Sequence, residues 1–338
     1  MDLTVGRELV NVLHVIGKPV TGGLERIVSY YGINGLDYGL NCDIFSISTE
    51  RNISIYGHNI QYFFNCRYLL IFFKSLFKFD IIHAHTFKGL LIFKAFFFFS
   101  NVNFCYHLHS YAQIQGYRLF FLRLIRFFFN IKIISASEHL YFNAVKVLSN
   151  KQVFLLENFI PNFRISEKII FDSLNGRALS IGFVGRFERE KEVIRLTLLV
   201  DKIREKYLVE SIKLYGSGSL FNSVYKLLKD SNKDLNLYHS DSMINKSDIY
   251  SFDILMVPST VESFSLVTYE ALSMGVRVVV DAPEVYNSLQ HYFSGLVCNS
   301  SSLNFVDDFI EVFPKRISLF RNLTFERHAK KLLEIYAS

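Results

Sequence analysis

Apolar and polar positions alternate along this chain in blocks. Short apolar runs, of the kind buried on both faces of a parallel sheet, are separated by longer stretches with helical period. In the first half, Val10–Ile16, Asp43–Ser48, Ile81–His85, Phe104–His109 and Lys132–Ala136 read as strands. Leu24–Gly32 and Tyr117–Asn130 read as helices among them. The pattern breaks near Asn158–Ser166, where Pro161 and two asparagines interrupt it. A second series follows, with strands at Leu179–Val184, Ser211–Tyr215, Asp253–Val257 and Arg277–Val280. Helices are predicted at Glu190–Glu205, Leu220–Asp230 and Leu266–Ser273. The pattern predicts an α/β chain of two Rossmann-like, doubly wound domains, 1–165 and 166–312. A helical tail, 313–338, is placed to pack back on the first domain. In such sheets ligands sit beyond the carboxyl ends of the strands, so the expected site is a cleft between two facing domains.

Length and composition agree with this division. The 338 residues exceed one ordinary core, and half are hydrophobic. Four scattered cysteines, Cys42, Cys66, Cys105 and Cys298, form no disulfide framework or zinc motif, which points to a reducing cytoplasm. Met1–Arg7 carries acidic residues and does not read as a signal peptide. Leu90–Phe99 is too short and too interrupted by Lys94 to span a bilayer.

Charge is shared unevenly. Residues 1–165 hold 16 Lys and Arg against 9 Asp and Glu, a balance of +7, whereas the remainder holds 21 against 22, a balance of −1. In the basic half, Lys74, Lys78, Arg118, Arg123, Arg126 and Lys132 alternate with Phe and Leu. That mixture suits the anionic surface of a membrane; the competing reading is a Phe-rich core under a solvated cationic face. No nucleic-acid-binding motif accompanies the charge.

Two segments carry candidate chemistry. After Leu179–Val184 comes Gly185-Arg186-Phe187-Glu188-Arg189-Glu190-Lys191, a glycine exit from a strand followed by two cations five residues apart. Arg186 and Lys191 can both reach a diphosphate there, with helix N–H groups completing the cradle; read blandly, this is a charged loop before an exposed helix. The second segment follows Asp253–Val257, where Pro258-Ser259 stops the strand and Glu262 enters the connecting loop. Ser263 or Ser265 can cap the helix that carries Glu270, leaving N–H groups near Phe264, Ser265 and Leu266 for phosphate oxygens. Glu270 suits a ribose diol and Glu262 a sugar hydroxyl, although one Glu at a helix start is ordinarily a dipole partner.

With these segments in order, the chain resembles glycosyltransferase family 4, a retaining family with the GT-B fold. Glu262 and Glu270 match its Glu-x7-Glu signature, followed by Ala271-Leu272-Ser273-Met274-Gly275, and Arg186 and Lys191 match its phosphate pair. Tyr215-Gly216-Ser217-Gly218 resembles its glycine turn, and Gly22-Gly23 with Glu25-Arg26 its first loop. Asp80–His85, His109, Ser137 and Asn158 also fit. The resemblance implies sugar transfer from a nucleoside-diphosphate donor, with a UDP-sugar favoured by family frequency and with no metal or cofactor. Arg186 and Lys191 would neutralise the leaving diphosphate, Glu270 would hold the ribose, and Glu262 the donor sugar. His109 would reach the reacting centre from the other domain, and Gly22 and Gly23 would let backbone approach the phosphate or acceptor. The implied acceptor is a polysaccharide or lipid-linked oligosaccharide of the capsule or O-antigen kind, met at the inner face of the plasma membrane by a peripheral cytoplasmic enzyme.

Three positions depart from the family pattern: Ser265 stands for glycine, Arg277 for proline, and Asp281-Ala282-Pro283-Glu284 lacks a glycine pair. A non-catalytic GT-B scaffold is the alternative function. An oxidoreductase ranks last, because no GxGxxG follows the first strand. His83 and His85 are expected to put one ring into the core, and His107 to be structural.

Overall fold

The computed structural model describes residues 9–17, 22–47, 54–55, 58–59, 62–63, 78–96, 102–149, 151–161, 174, 176–241, 246–293, 295–305 and 313–338. The chain divides into two compact units, Met1–Pro161 with Leu323–Ser338, and Asn162–Asn322. The first unit therefore ends a few residues before the break expected at 165. The tail is shared at Leu323: its first helix belongs with the second unit and its last with the first.

The first unit holds a seven-stranded parallel sheet of order β5-β2-β1-β6-β7-β8-β9. Its strands are β1 (Val10–Ile16), β2 (Leu40–Ser46), β5 (Tyr62–Phe63), β6 (Ile81–Ala84), β7 (Asn103–Leu108), β8 (Ile131–Ser135) and β9 (Val153–Leu155). A separate antiparallel pair is formed by β3 (Ser54–Ile55) and β4 (His58–Asn59). Helices α1 (Gly23–Asn34), α2 (Phe87–Phe96), α3 (Gly116–Phe128) and α4 (Glu138–Leu148) connect the strands. β6 and β8 are buried along their whole length, including His83 in β6 and Lys132 and Ser135 in β8.

The second unit holds a six-stranded parallel sheet of order β12-β11-β10-β13-β14-β15. It comprises β10 (Leu179–Val184), β11 (Val209–Tyr215), β12 (Asn236–Ser240), β13 (Ile254–Val257), β14 (Arg277–Val280) and β15 (Val297–Cys298). Its helices are α5 (Leu196–Arg204), α6 (Phe221–Ser231), α7 (Lys246–Tyr250), α8 (Leu266–Ser273), α9 (Pro283–Gln290) and α10 (Phe313–Asn322). In both sheets the order reverses beside the first strand, so β1 and β10 each lie between neighbours reached by opposite crossovers. That reversal opens a crevice at the carboxyl ends of the strands.

The single helix expected over Glu190–Glu205 is broken. Two 3-10 turns, Arg189–Lys191 and Val193–Arg195, precede α5. Glu192 between them is left-handed, at φ 46° and ψ 36°, a conformation that costs a residue with a β-carbon about 1–2 kcal/mol. Its carboxylate accepts hydrogen bonds from the Thr260 amide and hydroxyl, which hold the bend.

The last helix, α11 (Phe325–Ala337), closes the first unit. Phe325 packs edge-on against Tyr30, Tyr31 and Phe159, with centroids 4.8 to 5.5 Å apart. Lys132 Nζ donates to the terminal carbonyls of Ile335 and Tyr336 at 2.8 and 2.9 Å, a cation placed at a helix C-terminus. Leu332 is fully buried on the inner face of α11, whereas Lys330 faces out. Leu332→Ala should lower unfolding stability by about 2–5 kcal/mol and Lys330→Ala by almost nothing, measured by urea denaturation. Equal effects would place α11 outside the core.

Candidate functional site

In the second unit, three loops meet beyond the carboxyl ends of adjacent strands. The loop after β10 supplies Lys191, Glu192 and Arg195, that after β13 supplies Ser259, Thr260 and Glu262, and that after β14 supplies Asp281. Lys191 Nζ lies 2.6 Å from Glu262 Oε1, which also accepts from the Ser259 hydroxyl at 2.7 Å. Arg195 bridges the outer two loops, contacting Glu192 at 3.1 Å and Asp281 at 2.6 Å. Asp281 Oδ1 in turn accepts from the Ser300 amide at 3.0 Å. Burial raises the Glu192 carboxyl, but hydrogen bonds from Thr260 and Arg195 outweigh it and hold the group below its ordinary value.

The two glycine turns fit against each other. Gly185 N donates to Tyr215 O at 3.0 Å and Phe187 N to Ser217 O at 2.9 Å. Gly216 has φ +127°, and a β-carbon there would lie 2.1 Å from the Gly185 carbonyl oxygen, so no other residue fits. Glu188 anchors the same turns by accepting from the Ser219 hydroxyl and amide at 2.7 and 2.9 Å; those bonds hold its carboxyl low.

Lys191 and Glu262 are thus brought together across 71 residues of chain. Arg186 leaves β10 in the same loop, but its half-exposed guanidinium pairs with Glu190 at 2.9 Å. Glu270 is buried on α8, one turn inside its start at Leu266. Phe264 stacks on Tyr269, with centroids 4.4 Å apart and planes 8° from parallel. The capping expected of Ser263 or Ser265 is corrected at Ser265. Ser265 is the N-cap residue, but its hydroxyl makes no cap bond and accepts instead from the Thr268 hydroxyl at 2.8 Å. The first amides of α8 have no acceptor within the helix, the general condition of a helix start.

The departures from the family pattern acquire local reasons. Ser265 sits at φ −94°, open to any residue, so glycine is not required. Arg277 donates its amide to Asp253 O at 3.2 Å, a bond proline would forfeit. Asp281 is the partner of Arg195.

In the first unit, Gly22 is the N-cap of α1 and Gly23 its first residue. A β-carbon on Gly22 would meet Glu25 Oε2 at 2.6 Å. His109 follows β7, and it is joined to a row of histidines. His109 Nε2 shares a hydrogen bond with His85 Nδ1, and His85 Nε2 with His14 Nδ1, both at 2.9 Å. A second row runs from His107 Nδ1 to His83 Nε2 at 3.1 Å, and from His83 Nδ1 to Tyr336 Oη at 2.5 Å. His83 and His85 lie two apart and therefore share a face; both are buried, where only one ring was expected in the core. Gln113, unnoticed in the sequence, fixes the loop: its oxygen accepts from the His109 and Ser110 amides at 2.5 and 2.9 Å. Its nitrogen donates to His107 O at 3.2 Å.

Proton positions follow from the fixed partners of these rings. His328 Nδ1 faces the Glu157 carbonyl at 2.7 Å and must donate, so its Nε2 accepts from the Tyr31 hydroxyl. His107 Nε2 is buried with no hydrogen-bond partner among the described residues. Leaving a lone pair there costs less than stranding an N–H, so His107 Nδ1–H donates to His83, which donates to Tyr336. Burial, with neighbouring rings, pushes His83, His85 and His107 well below the ordinary histidine value; it lowers His109 to about 3 and His328 to about 4. His14, His83 and His85, and separately His85, His107 and His109, bring one nitrogen each within 4.8 Å of the others, a spacing compatible with metal ligands. Here nitrogens pair with one another, and His83 stacks on His85 only 6° from parallel, so neighbouring lone pairs do not converge.

Comparison with known proteins accords with this geometry. Residues 166–315 match the family model of glycosyl transferases group 1. An uncharacterised 41.2 kDa protein in the cps region of Klebsiella pneumoniae is 23% identical, with 89% of each chain covered. Anabaena Alr3699/HepE, solved in complex with UDP and glucose, superposes with a TM-score of 0.71 at 15% identity, over 97% of this chain and 99% of that one. A glycosyltransferase from Rickettsia africae ESF-5 gives 0.67 at 15% identity, over 97% and 98%. The fold is GT-B, and the second unit carries the group 1 glycosyl transferase match.

The neutral histidine rows make stability depend on acid. Below the ordinary value of 6.5 the unfolded chain takes up protons that the folded rings refuse, so stability is full above 6.5 and lost as pH falls. Each such ring steepens the loss by about 1.4 kcal/mol per pH unit. Urea unfolding at pH 7.5 and pH 5 should show a marked drop, reduced in His328→Gln; a flat profile would mean the rings are charged when folded.

Proposed function

We propose that the chain is a metal-independent, retaining glycosyltransferase of family 4 type, using a nucleoside-diphosphate sugar, with UDP-sugar favoured. The supporting observation is the Lys191–Glu262 contact, which sets a cation and a carboxylate side by side at the sheet's reversal point. In this contact each neutralises the other. A bound diphosphate would take Lys191, leaving Glu262 to accept hydrogen bonds from the donor sugar. Arg186, now paired with exposed Glu190, is free to exchange that weak surface partner for the same phosphates. The two cations would stabilise the charge that grows on the leaving diphosphate.

Glu270 holds the ribose in this reading, and the α8 amides near Phe264, Ser265 and Leu266 meet phosphate oxygens. Gly185 and Gly216 keep the floor of the site flat enough for close approach. The first unit is the acceptor domain, with His109 at the reacting centre and Gly22 and Gly23 near phosphate or acceptor. Held neutral, His109 can donate or accept a hydrogen bond with a sugar hydroxyl. The acceptor is a polysaccharide or lipid-linked oligosaccharide of a capsule or O-antigen. The cps-region relative supports that class of product, and the basic, aromatic first unit supports a peripheral position at the inner face of the plasma membrane. No helix among the described residues is long and apolar enough to cross a membrane.

Donor hydrolysis tests the reading. Lys191→Ala and Glu262→Ala should each lower nucleotide-sugar turnover by about a hundredfold or more while leaving the unfolding midpoint within a few degrees. A wild type as inert as both variants would favour the scaffold.

A further inference from the structure

Helix α3 has two apolar faces, and only one is used. Leu122 and Ile125 face the sheet and are buried. Tyr117, Phe120, Phe121, Leu124, Phe127 and Phe128 recur at the spacing of a single helical stripe, and all are exposed, from 42% at Phe121 to 83% at Phe127. An isolated exposed phenylalanine is ordinary; a continuous stripe of six large side chains along one helix marks a surface that meets something apolar.

Charge selects the occupant. From Asp80 to Glu138 the chain contains no acidic residue, yet it carries Arg118, Arg123 and Arg126 on α3 itself. Arg123 reaches from α3 to the last turn of α4, donating to Val147 O at 2.8 and 3.0 Å, and Arg126 donates to Leu148 O at 2.5 Å. These contacts fix the guanidinium groups around the end of α4, where exposed Lys146 and Lys151 add further positive charge. A second copy docked stripe to stripe about a twofold axis would set these cations against identical cations, with no carboxylate on the helix to pair with them. A bilayer offers the opposite: acyl chains for the aromatic rings and anionic headgroups for the arginines.

We propose that the exposed face of α3 is a membrane-docking surface, with Tyr117, Phe120, Phe121, Leu124, Phe127 and Phe128 entering the headgroup–acyl boundary and Arg118, Arg123 and Arg126 meeting anionic lipid phosphates. This deepens the reading above, on which it rests for the side of the membrane; the docking itself does not depend on donor chemistry. Docking there holds the first unit, which that reading assigns to the acceptor, against the surface carrying a lipid-linked substrate.

The test is co-sedimentation of the full chain with vesicles of phosphatidylcholine alone, and of phosphatidylcholine with roughly a third phosphatidylglycerol. Binding is expected on the anionic vesicles only, weakening with salt. The combined variant Phe120→Ser, Phe127→Ser, Phe128→Ser should bind about tenfold more weakly or worse. All three side chains are already solvent-exposed, so its circular dichroism and melting should match the wild type. Negligible or equal binding to both vesicles, or undiminished binding of the variant, overturns the proposal. So does a solution dimer that the same variant dissolves, which would assign the face to a second copy. Donor hydrolysis measured without lipid separates the two readings: the variant should retain it, and a wild type that binds vesicles but never consumes donor would sink the proposed function alone.

Discussion

Parallel strands deliver their outgoing loops to one end of a sheet, and the second unit depends on two such loops meeting over the pair β10 and β13. Strand order reverses there, so the loops diverge above the sheet and leave a crevice between them. The Lys191–Glu262 contact spans that crevice at 2.6 Å. Around it, each support has a physical reason. Glu192, next to Lys191, adopts a left-handed backbone, and Thr260 holds the bend. Arg195 ties the loop to Asp281, and Gly216 lets the neighbouring turn close to a distance that no β-carbon would allow. A non-glycine residue held at positive φ beside a paired charge is the kind of local strain that persists where the surroundings demand it.

The first unit solves a different problem. Its sheet carries five histidines near the carboxyl ends of β1, β6 and β7, in a setting too dry for charge. Burial keeps them neutral while they bond to one another in rows; α11 supplies Tyr336 to the end of one row, and its His328 acts on His109 through its charge. The last helix of the chain is therefore part of the environment of His109, although 219 residues separate His109 from His328. The phenylalanine excess of the same unit divides between two tasks. Phe93 and Phe104 fill the core, whereas Phe120, Phe127 and Phe128 are left outside it.

Much of this was legible in the residues. Val10–Ile16, Leu179–Val184, Arg277–Val280 and Leu266–Ser273 fall where the pattern put them, because a buried parallel strand or a buried helix leaves a continuous local signal. β9 and β15 were missed because two or three residues carry no period, and β12 because Asn236–Ser240 is a half-exposed edge strand with no apolar run. The charged residues of the two candidate segments could be named from their position after strands, but their partners could not. Nothing local to Glu192 signals positive φ, and nothing in Gln113 signals a residue that grips two amides and a carbonyl. The histidine rows were hidden for the same reason: His14, His85 and His109 become neighbours only through sheet order.

In the proposed function, the crevice above β10 and β13 receives a nucleoside diphosphate through Lys191. Isothermal titration calorimetry with UDP, GDP and ADP in the presence of a chelator addresses it directly. Saturable binding of at least one of them is expected, weakened by about tenfold or more in Lys191→Ala. Absence of heat for all three, or binding indifferent to Lys191, would contradict it.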